Sequence, residues 1–337
     1  MKISYRPFDL ELKYPFTISR FSRTSTPIML VTIEHDGLTG YGEASMVPYM
    51  GENVDTATDF LRSVDLSWLK YPFDMGEVVE YLDGIRPGNP SIKAAIDIAL
   101  HDLKGKIEQR ACYRFFSADP QKMPVTTITI GIDTPEVMVR KVQEASVAKV
   151  LKIKLGRDND KELINTIRSV SNQPLYVDAN QGWTDREEGL DMVHWLHEQG
   201  VVLIEQPMAK DDPDSNAWIT ERSPIAIVGD EAVQRLADVE KARGVYHGIN
   251  MKLMKSGGMH EGYEMITKAK ALGLKVLIGC MSETSCATLA AAALAPLCDW
   301  ADLDGPFLTK NNPYKDPEFA DGRWVLNNDP GLGLKEK

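Results

Sequence analysis

Lysines and carboxylates stand at the ends of short β-rich runs in this sequence, at spacings that could bring them to one place. Lys152 and Lys154 alternate with Leu151, Ile153 and Leu155. Asp178 and Asn180 close the next run, Glu205 the following one, then come Asp230, Lys252, and finally Asp302 with Asp304. A strand turns successive side chains to opposite faces, so Lys152 and Lys154 share a face, as do Asp178 and Asn180, and Asp302 and Asp304. A single charged strand end is usually just solvated. Six of eight runs ending in ionisable residues of one parity point instead to a common site.

Asp178, Glu205 and Asp230 would repel one another in such a site and raise each other's pKa unless a cation neutralised them. Oxygen ligands without His or Cys select a hard ion, and three carboxylates with room for water or substrate suit one Mg²⁺ per subunit better than Ca²⁺ or zinc. His194 and His197 lie three apart on a helical stretch with no further ligands nearby, which is a solvated face. Lys152 and Lys154 come from the second run and Lys252 from the sixth, opposite sides of a closed barrel. A substrate on the metal would be sandwiched between them. Ammonium groups beside one another and beside Mg²⁺ lose protons more easily, so these lysines are expected to act as bases. Two lysines facing opposite sides of a carbon acid can remove a proton from one side and return one from the other. A carboxylate α-proton is very weakly acidic, and Mg²⁺ with Lys152 would stabilise the enediolate formed on deprotonation.

These residues need a scaffold that converges strand ends. After Pro124, β-rich runs alternate with helical stretches: Val125 to Ile132, Val150 to Leu155, Leu175 to Asn180, Val201 to Gln206, Ile225 to Asp230, Ile249 to Leu253, Lys275 to Cys280 and Trp300 to Asp304. Eight runs about 25 residues apart are the arithmetic of a parallel (β/α) barrel, whose active site lies at the carboxyl ends of its strands. A doubly wound open sheet usually has fewer strands and a Gly-rich first turn, and no such phosphate loop occurs here. Ahead of the barrel, extended segments such as Ile28 to Glu34, the His35-Asp36-Gly37 turn and a second glycine cluster at Gly40 and Gly42 read as an antiparallel meander. Asp55 to Lys106 reads as helical, with Ala95, Ile96, Ile98, Ala99 and Leu103 forming an apolar stripe. The expected organisation is an α+β domain over residues 1–118, a barrel over 119–305, and a segment 306–337 that returns to the first domain.

Of 337 residues, 43% are hydrophobic and 26% charged, the balance of a folded globular chain. A net charge of −11 repels polyphosphate, so nucleic acid is not an expected partner. The longest apolar stretch, Ala287 to Leu297, is too short to span a bilayer, and Met1 to Leu10 lacks the apolar region of a signal peptide. A cytoplasmic protein is expected, with Cys112, Cys280, Cys286 and Cys298 as reduced thiols. Assembly into a homo-oligomer stays open.

The motifs Lys152-Ile153-Lys154, Val177-Asp178-Ala179-Asn180, Ile204-Glu205-Gln206-Pro207, Gly229-Asp230-Glu231 and Ile249-Asn250-Met251-Lys252, followed by Lys255-Ser256-Gly257-Gly258, resemble the muconate-lactonizing subgroup of the enolase superfamily. The resemblance extends over the whole chain, from Ala95 to Leu103, similar to the helical signature of the capping domain, to the closing Pro330-Gly331-Leu332-Gly333. It implies a modified (β/α)7β TIM barrel with an N-terminal α+β capping domain. Asp302-Leu303-Asp304 looks like the mark of the dipeptide epimerases of that subgroup. Two carboxylates facing the substrate would bind a dipeptide's free ammonium, which a muconate or succinylbenzoate lacks. The resemblance further implies Lys154 as base for one configuration and Lys252 for the other. Thr127, Lys152 and the Cys280-Met281-Ser282 turn would hold the substrate, and Asn180 and Glu231 would support the metal and lysine.

A loop over Ser19 to Thr24 falls where the capping domain of these enzymes closes over the barrel, and it carries Arg20 and Arg23. Arg23 is the choice for a charge-assisted contact to a glutamate side chain, against the alternative of a solvated loop arginine. Tyr49 and Met50 are candidates for the same pocket, although domain packing explains apolar wall residues equally well. The expected activity is epimerisation of L-Ala-L-Glu at the α-carbon of its C-terminal residue, in murein peptide recycling. The alternatives are another dipeptide, a cycloisomerase or o-succinylbenzoate synthase, and a metal-dependent peptide-binding protein without catalysis.

Overall fold

The computed structural model describes residues 1–17, 22–46 and 50–337. Three strands, β1 (Lys2–Thr17), β2 (Ser22–His35) and β3 (Leu38–Ser45), form an antiparallel sheet in the order β1-β2-β3. Asp36 and Gly37 both take positive φ, 49° and 79°, the two-residue turn that matches strand twist in a hairpin. Gly40 and Gly42 do not form a second turn. They lie inside β3, where a Cβ would come within 2.0 Å of the Ala99 carbonyl oxygen and 1.9 Å of that of Ala95. The sheet backbone rests directly on a helix there, and only glycine permits the approach.

That helix is α3 (Pro90–Ile107), preceded by α1 (Val54–Arg62) and α2 (Met75–Ile85). Its expected apolar stripe is one side of a helix buried almost all round. Ala95, Ile96, Ala99 and Leu103 join the core under the sheet, whereas Ala94 and Ile98 join the barrel core. The polar residues between them are spent on the joint: Asp97 accepts hydrogen bonds from the backbone amides of Met259 at 2.5 Å and His260 at 3.4 Å. Asp102 accepts from Tyr41 N and Leu332 N, tying sheet, helix and chain end together.

Eight parallel strands follow: β4 (Thr127–Ile130), β5 (Val150–Lys154), β6 (Leu175–Asp178), β7 (Val201–Glu205), β8 (Ala226–Gly229), β9 (Gly248–Lys252), β10 (Lys275–Gly279) and β11 (Trp300–Asp302). Each pairs with its sequence neighbour, and a bridge between Thr126 and Ala301 closes the barrel. The connections carry α4 (Pro135–Glu144), α5 (Asp160–Arg168), α6 (Arg186–Glu198), α7 (Pro213–Arg222), α8 (Leu236–Val239), α9 (Leu253–Ser256), α10 (Met259–Ala271) and α11 (Ser285–Leu294). After β11 there is only α12 (Gly305–Leu308), so the barrel is of (β/α)7β type, with an antiparallel-sheet domain ahead of it. A small hairpin, β12 (Phe319–Ala320) and β13 (Arg323–Trp324), follows.

Alternate residues of the barrel strands fill its interior in layers. Val150, Tyr176, Leu203, Val228 and Leu277 pack together as an apolar plug. Lys152, Asp178, Glu205 and Asp230 stand two residues further along their chains, so the same parity that builds the plug raises a polar layer above it. No helix among the described residues is long and apolar enough to cross a membrane.

Gly258, where the chain enters α10, has a φ of 129°, and a Cβ there would lie 2.4 Å from the Asp97 side chain. Gly258→Ala is therefore expected to lower unfolding stability by at least about 2 kcal/mol. A urea midpoint equal to that of the parent protein would contradict this packing.

Candidate active site

Repulsion within the acidic trio sets the rest of the site. Asp178, Glu205 and Asp230 are buried, and one carboxylate oxygen from each lies within 4.8 Å of the others. Each pair of charges at that separation repels by roughly 3 kcal/mol at an effective dielectric near 20. Lysines divide the trio between them. Lys154 Nζ donates to Asp178 at 2.5 Å and Lys252 Nζ to Asp230 at 2.6 Å. Lys152 Nζ reaches Asp302 at 2.6 Å, Glu205 at 2.9 Å and Asp178 at 3.3 Å.

The charge states follow from these neighbours. Burial pushes every carboxyl up, but Lys154 and Lys152 bring Asp178 below its ordinary value, and Lys252 and Lys255 hold Asp230 well below it. Glu205 is pushed up to about 8 by burial and by Asp178, so it carries the least compensated charge of the three. Burial disfavours the Lys152 ammonium, yet Asp302, Glu205 and Asp178 outweigh it and hold the group well above its ordinary value. These carboxylates favour the ammonium form of Lys152, the positive charge expected of it beside the enediolate.

The donor set fits a hard divalent cation. Every trio ligand is a carboxylate oxygen, and the buried Asn180 Oδ1, Asn250 Oδ1 and Glu231 Oε2 are acceptors without hydrogen-bond partners. Asn180 Nδ2 lies 3.4 Å from Glu231 Oε1. Glu231 is pushed up to about 7 by burial and by Asp230.

A cavity of about 630 Å³ opens above this layer. Lys152, Lys154, Asp230 and Lys252 line it, with Asn180, Glu231, Asp302, Asp304, Cys280, Met281 and Ser282. β6 ends at Asp178 and β11 at Asp302, so Asn180, with φ 46°, and Asp304, which opens α12, reach the cavity through loop geometry and not through strand parity. Asp302 accepts from Thr127 Oγ1 at 2.5 Å, and Asp304 from the Thr129 amide at 2.7 Å. Asp304 is pushed up to about 6 by burial and by Asp302.

Thr127, expected to hold substrate, is fully buried behind Asp302, and Thr129 faces the cavity in its place. Arg23 and Phe16 line the cavity from the N-terminal sheet, and Arg23 Nη2 donates to Ser282 Oγ at 2.9 Å. Met50 does not line it. Arg20 and Tyr49 lie outside the described residues.

Two buried residues join the site without having been picked out as members. Lys255 Nζ donates to Asp230 Oδ1 at 2.6 Å, to its carbonyl at 2.7 Å and to the Asn250 carbonyl at 2.9 Å. Asn250 Nδ2 donates to Glu205 at 2.9 Å. Asn250 shares the parity of Lys252, so strand alternation alone could have found it. Lys255 lies past the strand in α9, where that rule gives no signal.

The chain matches the mandelate racemase / muconate lactonizing enzyme N-terminal domain over residues 3–115 and the enolase C-terminal domain-like family over residues 137–336. It is 50% identical over 335 residues to an L-Ala-D/L-Glu epimerase of Bacteroides thetaiotaomicron, covering 99% of this chain and 88% of the relative. It resembles the crystal structure of a dipeptide epimerase from Enterococcus faecalis complexed with Mg and L-Leu-L-Tyr, with TM-score 0.89, 30% identity and coverage of 99% and 98% of the two chains. A substrate-liganded L-Ala-D/L-Glu epimerase from Bacillus subtilis superposes with TM-score 0.92 at 26% identity, again covering 99% and 98%.

A cation held by the trio must stabilise the fold. The melting temperature should rise with Mg²⁺, the gain reaching about 2.7 kcal/mol at a hundred times the dissociation constant. Glu205→Gln should remove most of that gain. Melting that is indifferent to Mg²⁺ would show that the trio does not hold the ion.

Proposed function

The chain belongs to the enolase superfamily, in its mandelate racemase and muconate lactonizing enzyme branch, and from that premise we propose that it is a Mg²⁺-dependent dipeptide epimerase interconverting L-Ala-L-Glu and L-Ala-D-Glu. One observation carries the reading. Lys154 and Lys252 enter the cavity from the second and sixth strands of the barrel, with the buried carboxylate trio between them.

When bound by Asp178, Glu205 and Asp230, the metal would draw electron density from the substrate carboxylate and make its α-proton removable. Lys154, as the free amine, takes that proton from one side, and Lys252, as the ammonium, returns one from the other. The reverse reaction exchanges their roles. Lys152, held charged by its carboxylates, contributes a fixed positive field beside the reacting carboxylate. Asp302 and Asp304 present acceptors to the dipeptide ammonium, Asp304 with the weaker compensation because Lys152 already pairs with Asp302. A cycloisomerase substrate with anionic ends would gain nothing from this pair. Arg23, at the cavity wall beside Ser282, is placed to pair a glutamate side chain. We place the enzyme in the cytoplasm, where its four cysteines, free in the structure, would remain reduced, and assign it to recycling of cell-wall peptides.

Incubation with L-Ala-L-Glu in D₂O is expected to introduce deuterium at the glutamate α-carbon and to produce the L,D diastereomer. Unchanged spectra across a dipeptide panel would remove the reading. Lys154→Ala and Lys252→Ala should each abolish exchange for one substrate configuration while sparing some for the other, and identical partial losses would count against two bases. Arg23→Ala should lower kcat/KM for Ala-Glu about tenfold more than for Ala-Ala. Equal losses would withdraw Arg23 from specificity.

A further inference from the structure

The turn that follows β10 supplies Met281 and Ser282 to the cavity wall, and the N-terminal sheet grips it from outside the barrel. Glu43 of β3 is fully buried. Its Oε1 accepts from the Thr284 amide at 2.8 Å, and its Oε2 accepts from the Thr284 hydroxyl and from the Ala287 amide at 3.3 Å. The same hydroxyl accepts from Cys286 N at 3.1 Å, which makes Thr284 the N-cap of α11. A hydroxyl has one hydrogen to donate, and here Glu43 receives it, so the carboxylate fixes the rotamer of the cap. Two residues along β3, Ser45 Oγ donates to the Ser282 carbonyl at 2.7 Å. Within the turn, Glu283 Oε1 accepts from the Met281 amide at 2.9 Å.

A buried carboxylate is costly unless several donors converge on it, and Glu43 has them from one place only: the start of α11 and the residue before it. Its carboxyl also faces the amino end of α11, where the helix dipole and these donors oppose the burial that pushes the group up. An apolar residue would pack β3 against α11 without that orientation. We propose that Glu43, assisted by Ser45, is a positioning residue for substrate recognition: from the N-terminal sheet it sets the place of the Met281–Ser282 wall of the cavity. The proposal rests on the dipeptide reading of that cavity for its kinetic consequence, but the tether itself can be tested without substrate.

Glu43→Gln keeps the shape and replaces one of the two acceptor oxygens with an amide NH₂; Ser45→Ala removes the other contact without disturbing a buried acid. Hydrogen exchange followed by mass spectrometry should show the amides of residues 281–287 exchanging about tenfold faster in Glu43→Gln, with peptides from β5 to β9 unchanged. Ser45→Ala should show a smaller change confined to the same turn, and it serves as the test if Glu43→Gln does not fold. In turnover of L-Ala-L-Glu, KM should rise about tenfold while kcat changes by less than about threefold, the signature of lost substrate binding with the lysines intact. Unchanged exchange at 281–287, acceleration spread evenly over both domains, or a fall in kcat at constant KM would each overturn the proposal. Failure of the parent protein to turn over any dipeptide would overturn the functional reading alone, since exchange at the turn still decides whether Glu43 holds it.

Discussion

Three carboxylates packed inside the mouth of a barrel are the constraint around which this site is organised. Their mutual repulsion cannot be relieved by water, because all three are buried. Positive charge must therefore reach them from the strands on either side, and β5 and β9 deliver it as Lys154 and Lys252. The same repulsion that makes a divalent cation welcome also draws the two amines to opposite edges of the trio. In the proposed reaction, metal binding and two-sided proton transfer would thus be two uses of one electrostatic arrangement.

The lysines differ in how much negative charge surrounds them, and this separates their roles better than their order in the chain does. Lys152 meets three carboxylates, at 2.6, 2.9 and 3.3 Å, whereas Lys154 meets Asp178 at 2.5 Å and Lys252 meets Asp230 at 2.6 Å and Glu205 only at 3.9 Å. Lys152 and Lys154 are two residues apart on one face of one strand. Depth along the barrel distinguishes them: the lower sits within the ring of acids and the upper at its rim.

Depth is also where the sequence was least legible. Alternation marked the interior face of six of the eight strands, and with it the acidic trio and the three lysines, because a period of two is a property of the backbone. Height above the apolar plug is not encoded by that period, so nothing in the sequence showed that Thr127 is buried behind Asp302 while Thr129 lines the cavity. Lys255 escaped because it acts from a helical turn. Gly40 and Gly42 showed only as a glycine cluster, because their contact with α3 depends on a helix some fifty residues away in the chain. The helix itself showed only the stripe toward one neighbour, since a segment packed on both sides loses the contrast on which periodicity relies.

The missing eighth helix leaves β11 and β4 without the usual outer cover, and the two ends of the chain close that gap. Leu12 bridges Thr309, Lys310 N donates to Glu11 O at 2.9 Å, and Trp324 Nε1 donates to the Leu303 carbonyl at 2.7 Å. The seam is stitched from the first fifteen residues and the last thirty. Covering the seam therefore needs contacts between residues some three hundred positions apart, such as Glu11 with Lys310, the kind of long-range closure that makes folding slow.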